Sequence, residues 1–106
     1  MAPLAQQAAL AAEAAEVLKA IAHPLRLRII AILCEGEEHV GALAERLGVS
    51  QPLVSQQLRI LRLRGLAEVT RASGSGRYRL AEPHLKDLVA CLTGCLGPRG
   101  RRGAKR

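Results

Sequence analysis

Aromatic side chains are nearly absent from this chain of 106 residues. It contains no Phe, no Trp and one Tyr, so its core must consist of Leu, Ile, Val and Ala. Proteins that bind single-stranded nucleic acid stack the bases on aromatic rings, and this composition offers no such platform. No apolar run reaches the length that spans a membrane, and no basic segment followed by an apolar one begins the chain. We therefore expect neither a membrane partner nor a secretory signal.

Cysteine is also scarce, and the three cysteines, Cys34, Cys91 and Cys95, suit no disulfide framework because their number is odd. This usage favours a reducing cytoplasm. The signatures of catalysis are missing as well: no nucleophile stands beside a base, no glycine-rich loop suits a phosphate, and no pair of acids lies in an apolar setting. The sequence therefore predicts a cytoplasmic protein that is not an enzyme.

Acidic residues are few where basic residues are dense. The chain carries a net charge of +7, and residues 59–80 hold six arginines against Glu68 alone. Residues 98–106 are basic as well and contain no acid. Such a distribution is the electrostatic footprint expected for a polyanion partner. Because the chain lacks a stacking platform, the predicted partner is duplex DNA.

Residues 40–65 predict two helices joined by a tight turn. The apolar positions of the first helix are Val40, Leu43, Ala44 and Leu47, which is the spacing of one helix face. Gly48 is suited to end this helix because it lacks a Cβ atom. Ser50 then stands where an N-cap belongs, and Pro52 lies in the first turn of the next helix.

The second helix of this pair is predicted to bury Val54, Leu58 and Leu61. The polar residues on its other face are Gln51, Ser55, Gln56 and Arg59. A helix, a short turn with Gly and a second helix form a helix-turn-helix, whose second helix enters the DNA major groove. Gln and Arg can form paired hydrogen bonds with the edges of adenine and guanine. The pattern therefore favours sequence-specific binding of DNA.

A β-hairpin is predicted directly after the helix pair. Apolar and polar residues alternate from Leu66 to Ala72 and again from Arg77 to Leu80, and the Ser–Gly repeat at residues 73–76 is typical of a turn. A hairpin in this place is a wing, which lies over the sugar-phosphate backbone or reaches the minor groove. The predicted DNA contacts of the wing are Arg71, Arg77 and Arg79.

Three further helices are predicted outside this unit. Residues 4–22 are rich in Ala, the strongest helix former, and Pro24 ends that helix and begins the next one. A last helix runs from Pro83 to Leu96. The residues beyond it lack a core-forming pattern. We therefore expect one domain over residues 1–97 and a disordered basic tail over residues 98–106.

Two stretches resemble the ArsR/SmtB family of winged-helix transcriptional repressors. LKAIAHPLRLRIIAIL, residues 18–33, is similar to the family's "ALGDPTRLRIL" segment. VSQQLRILRLRGL, residues 54–66, is similar to its "VSxHLxxLRxAGL" segment. The resemblance extends over residues 14–96. It implies a mainly α fold with a small β-hairpin wing, a winged helix-turn-helix that dimerises through its first and last helices.

The resemblance also implies a homodimer that binds a palindromic operator and releases it when an effector binds. It assigns DNA contacts to Ser50, Gln51, Ser55, Gln56 and Arg59. Many members carry Gly-Arg near the tip of the wing, whereas this chain has Ser73-Gly74 there. The arginines at the base of the wing are therefore its remaining candidates for contact.

Members of the family bind metal ions at either of two sites, and this sequence lacks the thiols of the first one. Its thiol pair at the start of the first helix of the helix-turn-helix aligns with residues 38–41, which contain no Cys. His39 lies in this segment, has no evident partner ligand, and is expected to be a surface residue.

The second family site, on the last helix, aligns with Glu82, His84 and Cys95, while its fourth position falls on Pro98, which cannot bind metal. His84 and Cys95 are eleven residues apart, roughly 16 Å along a helix, so one chain cannot bring them together. Two antiparallel copies could do so, and Cys91 lies one turn before Cys95 on the same face. This set, with one or both thiols, would suit zinc or another thiophilic metal.

Direct chemistry at the thiols is the alternative, and it needs no cofactor. Cys91 and Cys95, or one of them with Cys34, could be bridged by arsenite or oxidised to a disulfide or polysulfide. The same cysteines could also simply pack in the interface between subunits. A different class of function also stays open, because some winged helices bind other proteins instead of DNA.

Overall fold

The computed structural model describes residues 3–71 and 76–97. Its helices are α1 (Pro3–Gln6), α2 (Ala8–Ile21), α3 (Pro24–Leu33), α4 (Val40–Leu47), α5 (Gln51–Leu63) and α6 (Leu85–Leu96). Its strands are β1 (Glu38–His39), β2 (Ala67–Thr70) and β3 (Arg77–Leu80). The mainly helical fold with a small wing is thereby confirmed. Within the described ranges, no helix has the length and apolar character needed to cross a membrane.

The start of the chain differs from the prediction of one helix over residues 4–22. Gln7 adopts an extended conformation with φ −123° and ψ 99°, so α1 and α2 are separate helices. Helix α1 buries no residue, and the buried residues of α2 are Ala20 and Ile21 at its end. The first turns are therefore stabilised by helix propensity alone and not by burial. Propensity alone does not maintain one continuous helix there.

The sheet has three antiparallel strands in the order β1-β3-β2. The predicted hairpin is confirmed as the β2–β3 pair, with Ala67 opposite Leu80 and Thr70 opposite Arg77. The predicted turn at residues 73–76 lies, apart from Gly76, outside the described residues, and so does the predicted basic tail over residues 98–106. Strand β1 was not predicted, because a strand of two residues is too short to show an alternating pattern. It pairs with Tyr78 and Arg77 and so connects the start of the helix-turn-helix to the wing.

The core is aliphatic, as the composition requires. Its largest fully buried side chains are Ile29, Ile30, Leu43, Val54, Leu58 and Leu61, which come from α3, α4 and α5. Tyr78 from β3 is buried beside them. Helix α6 attaches to this core through the buried Leu85 and the half-buried Leu88 and Val89. The helix-turn-helix and the sheet thus rest on a common centre.

Candidate nucleic-acid interface

The turn between α4 and α5 has the geometry that its residues predict. Gly48 takes the left-handed conformation, with φ 71°, which L-residues other than Gly adopt at a cost. The Val49 amide then donates to the Ala44 carbonyl at 3.1 Å and closes the end of α4. The Ser50 hydroxyl caps α5 by accepting from the Leu53 amide at 3.3 Å. These local contacts fix where α5, the candidate recognition helix, begins.

Helix α5 presents one apolar face and one polar face. Val54, Leu58 and Leu61 are completely buried, as predicted. The candidate DNA-contacting residues of this unit are all exposed: Ser50, Gln51, Ser55, Gln56 and Arg59. The exposed face also includes the apolar Leu53, and Arg62 and Leu63 follow one turn after Arg59. The helix therefore offers hydrogen-bonding and apolar groups together, which is what the edges of base pairs require.

The Gln51 side chain lies close to Gly41 on the other helix of the pair. A Cβ atom added at Gly41 would lie 3.3 Å from the Gln51 Nε2 atom. Gly41 thus leaves the room in which the Gln51 side chain lies. Helical spacing does not reveal this role, because the contact depends on how α4 and α5 cross.

The opposite face of α5 carries one polar residue into the interior. Gln57 is buried, and its Oε1 atom accepts a hydrogen bond from Arg26 Nη1 at 2.7 Å. Arg26 is partly buried and contacts residues of α2 and α5 from its place in α3. The two residues are 31 positions apart, so no local pattern could have paired them.

The wing arginines lie beside carboxylates. Arg77 Nε is 3.3 Å from a carboxylate oxygen of Glu37, and Arg79 Nη1 is 3.8 Å from the other. Arg79 Nε is also 3.4 Å from Glu68. All of these groups are about half exposed, and such pairs contribute only about 0–1 kcal/mol each. DNA phosphates could therefore replace the carboxylates at little cost. Arg71, the third predicted contact, is exposed.

His39 joins β1 to the base of the wing and is not the plain surface residue that was expected. Its Nδ1 atom is 3.0 Å from the Gly76 carbonyl oxygen, and its Nε2 atom is 3.0 Å from Arg77 Nη1. A guanidinium group only donates, so Nε2 accepts and the ring proton lies on Nδ1, which donates to Gly76. His39 thereby positions Arg77 as well as Gly76.

The predicted metal ligands lie at the two ends of α6. His84 directly precedes the helix, and its Nδ1 atom is 2.6 Å from Glu82 Oε2. Hydrogen bonds from the His84 backbone and side chain lower the pKa of Glu82, and the Glu82 carboxylate raises the pKa of His84. Cys91 and Cys95 are exposed further along α6. Among the described residues of one chain, no three His, Cys, Asp or Glu side chains are grouped closely enough to hold a metal ion. A site made of this donor set therefore needs two chains.

Cys34 differs from the other two thiols in its burial. It follows the last residue of α3 and is half-buried, and burial raises the pKa of its thiol. The positive charge of Lys86 acts in the opposite direction on this pKa. Cys91 and Cys95 lie in the second half of α6. A pairing of Cys34 with either of them stays a prediction.

Two packed helices that expose a polar recognition face, followed by a short antiparallel wing, define the class of winged helix-turn-helix proteins. Residues 23–69 match the arsR family of bacterial regulatory proteins. The chain belongs to this family of transcriptional repressors, which confirms the resemblance found in its sequence.

Particular relatives bear this out. The biofilm growth-associated repressor of Xylella fastidiosa is 43% identical over 80 residues, which cover 76% of this chain and 70% of the relative. The HTH-type transcriptional regulator NmtR of Mycobacterium tuberculosis is 44% identical over 88 residues, covering 83% of this chain and 72% of the relative. A solved homodimeric winged helix-turn-helix domain, Mb0332 of Mycobacterium bovis, aligns with a TM-score of 0.79 at 29% identity, covering 96% of this chain and 93% of that one.

Proposed function

We propose that this protein is a homodimer that represses transcription by binding a palindromic DNA operator, and that it releases the operator in response to an effector. The observation that carries the proposal is the division of α5 into a face locked in the core and an exposed face of Gln, Ser and Arg side chains. A capped helix of this kind places base-reading groups on a rigid support. The wing arginines flank it, where they can contact phosphates.

Dimerisation is supported by apolar surface that the chain leaves uncovered. A groove of about 400 Å³ runs between α3 and α6, and its apolar lining includes Leu27, Val89 and Leu92. Leu96 at the end of this groove is 62% exposed, and Leu18 on α2 is 54% exposed. Helices α2 and α6 are those that the family resemblance assigns to the interface, and the M. bovis neighbour is described as homodimeric. Two-fold symmetry of the protein matches the symmetry of a palindromic operator.

A metal ion is the first candidate effector. In an antiparallel pair of α6 helices, Glu82 and His84 of one chain would lie beside Cys95 of the other, with Cys91 one turn away. Carboxylate, imidazole and thiolate groups together suit zinc or a softer divalent ion. The raised pKa of His84 means that a proton competes with the metal for the imidazole, so binding should strengthen with rising pH.

The exposed thiols favour a second candidate. Cys91 and Cys95 lie one turn apart on the surface of α6, so arsenite or an oxidant could reach them. Cys34, half-buried directly after α3, is the third candidate thiol of this hypothesis.

The decisive experiment measures operator release by the reduced protein, with zinc, arsenite and a polysulfide donor titrated separately and free thiols counted. The probe is a duplex that the protein selects from a randomised pool. Release by zinc that is lost in Glu82→Gln supports the metal site. Release by arsenite or polysulfide with loss of thiols supports the cysteine switch.

Two variants separate these outcomes from packing effects. Cys91→Ser with Cys95→Ser should repress normally and fail to respond, and Cys34→Ser shows whether the half-buried third thiol takes part in the response. Normal release by the double variant would remove both effector hypotheses. Binding that shows no sequence preference and only a steep dependence on salt would instead favour a protein-interaction module.

A further inference from the structure

Arg26 occupies a junction between three helices. Its Nε atom donates to the carbonyl oxygen of Ala20 in the last turn of α2. Its Nη1 atom donates to Oε1 of Gln57 in α5 at 2.7 Å. Arg26 itself belongs to α3. One planar guanidinium group therefore connects the recognition helix with α2 and α3.

The sequence creates the need for this contact. A helical carbonyl normally accepts from the amide four residues later, and for Ala20 that residue is Pro24, which has no N–H group. A carbonyl left without a donor in a partly buried place is destabilising. Arg26, two residues after the proline, supplies the missing donor. The Ala20 carbonyl, which the break between α2 and α3 leaves without an amide donor, thereby orients the Arg26 side chain.

The other end of the contact lies directly behind the exposed face of α5. Gln57 follows Gln56 and is the buried polar side chain among the residues that the structure describes. Its position is fixed by a hydrogen bond to a charged donor, which is shorter and stronger than one between neutral groups. An exposed ion pair between Arg64 and Glu16, at 3.2 Å, joins the far end of α5 to α2 as well. Both contacts therefore oppose a rotation of α5 on α2.

We infer that Arg26 and Gln57 are positioning residues for DNA binding, which set the angle of the recognition helix on α2 and so the separation of the two recognition helices in the dimer. The inference rests on the proposed dimeric binding of DNA. Helix α2 belongs to the proposed interface, so whatever fixes α5 on α2 also fixes the distance between half-sites that the dimer accepts. Neither residue contacts DNA, and both act through the angle of α5.

The test compares variants on duplexes that differ only in half-site spacing. The probes are the duplex that the parent selects from a randomised pool and two copies of it with one base pair added or removed between the half-sites. Gln57→Met removes the acceptor at similar volume, and Gln57→Glu keeps an acceptor for Arg26. Arg26→Lys keeps the charge but loses the planar group, and Arg46→Lys is its control, because Arg46 lies exposed on α4, pairs with Glu35 and does not contact Gln57.

Gln57→Met and Arg26→Lys should bind the selected duplex about tenfold more weakly and lose most of the preference for its spacing. Gln57→Glu should retain both properties, and Arg46→Lys should match the parent. Affinity for unrelated duplex should stay unchanged in all variants. A lower melting temperature with the parental spacing preference intact would overturn the inference, because that is the result of a merely structural role. Failure of the parent to select any duplex would instead contradict the proposed function.

Discussion

Helices α5 and α6 are similar in length and both carry leucine-rich apolar faces, but their surroundings differ. The apolar face of α5 is completely buried at Val54, Leu58 and Leu61, and its other side is exposed and mainly polar, with Leu53 and Leu63 as the apolar exceptions. Helix α6 buries only Leu85 fully and ends with Leu96 largely exposed. The chain itself completes the packing of α5 and leaves that of α6 unfinished. The exposed polar side of α5 suits contact with a hydrated polyanion, and the uncovered apolar face of α6 suits contact with a second copy of the chain.

The strongest test of this difference places one charge in each helix. Leu96→Asp should convert the dimer to a monomer, because it introduces an unpaired carboxylate into the proposed interface. Operator affinity should then fall at least about 100-fold, since the two half-sites no longer bind as one unit. Sedimentation measures the first effect and fluorescence anisotropy the second.

The matched control for oligomeric state is Leu63→Asp, because Leu63 is 75% exposed at the end of α5. It should leave the dimer intact. If both substitutions leave the dimer intact, or both dissociate it, the assignment of α6 to the interface is wrong.

A second prediction concerns the exposed face of α5. Gln56→Ala and Arg59→Ala should each weaken operator binding by about 10-fold to 100-fold, which corresponds to the loss of a paired contact with a base. Neither should change the melting temperature or the dimer, because both side chains are exposed. Gel-shift titration on the selected duplex measures the loss. Dissociation of the dimer by either variant would mean that this face serves assembly and not DNA.

The parts of the fold that follow from short-range pattern were predictable. The spacing of Leu43, Leu47, Val54 and Leu58 fixed the helix-turn-helix, and Gly48 and Ser50 marked its turn with the conformations that the structure shows. These features depend on residues within a few positions of each other, where helical geometry and capping act directly.

The parts that follow from distant contacts were not predictable. The contacts of Arg26 with Gln57, of His39 with Gly76 and of Arg77 with Glu37 join residues 31, 37 and 40 positions apart. Each depends on how finished elements cross, and no periodic pattern records that. The assignment of Glu82, His84 and Cys95 to one metal site stays a prediction for a related reason, since it depends on the arrangement of two chains.

The carboxylates beside the wing give a third and smaller effect. Glu37→Gln should raise affinity for both specific and unrelated duplex about twofold to threefold at low salt, because Arg77 and Arg79 lose a competitor for phosphate. The gain should vanish at high salt. Glu35→Gln is the matched control, since Glu35 pairs with Arg46 of α4 and not with the wing. An equal gain in both variants would indicate a general effect of net charge.

The smallest predicted effect lies at the start of α6, where Glu82 and His84 form an exposed pair. Because the carboxylate raises the pKa of His84, Glu82→Gln should move that pKa back toward its ordinary value, and Asp87→Asn should move it less. The pair stabilises the fold while His84 is charged and Glu82 ionised. Its contribution is therefore lost as pH rises through the raised pKa of His84, and lost again as pH falls through the lowered pKa of Glu82. Titration of the His84 ring signals by NMR measures the shift. An unchanged pKa of His84 in Glu82→Gln would show that the pair does not form in solution. Glu82 and His84 would then not be positioned together as ligands for the proposed zinc site.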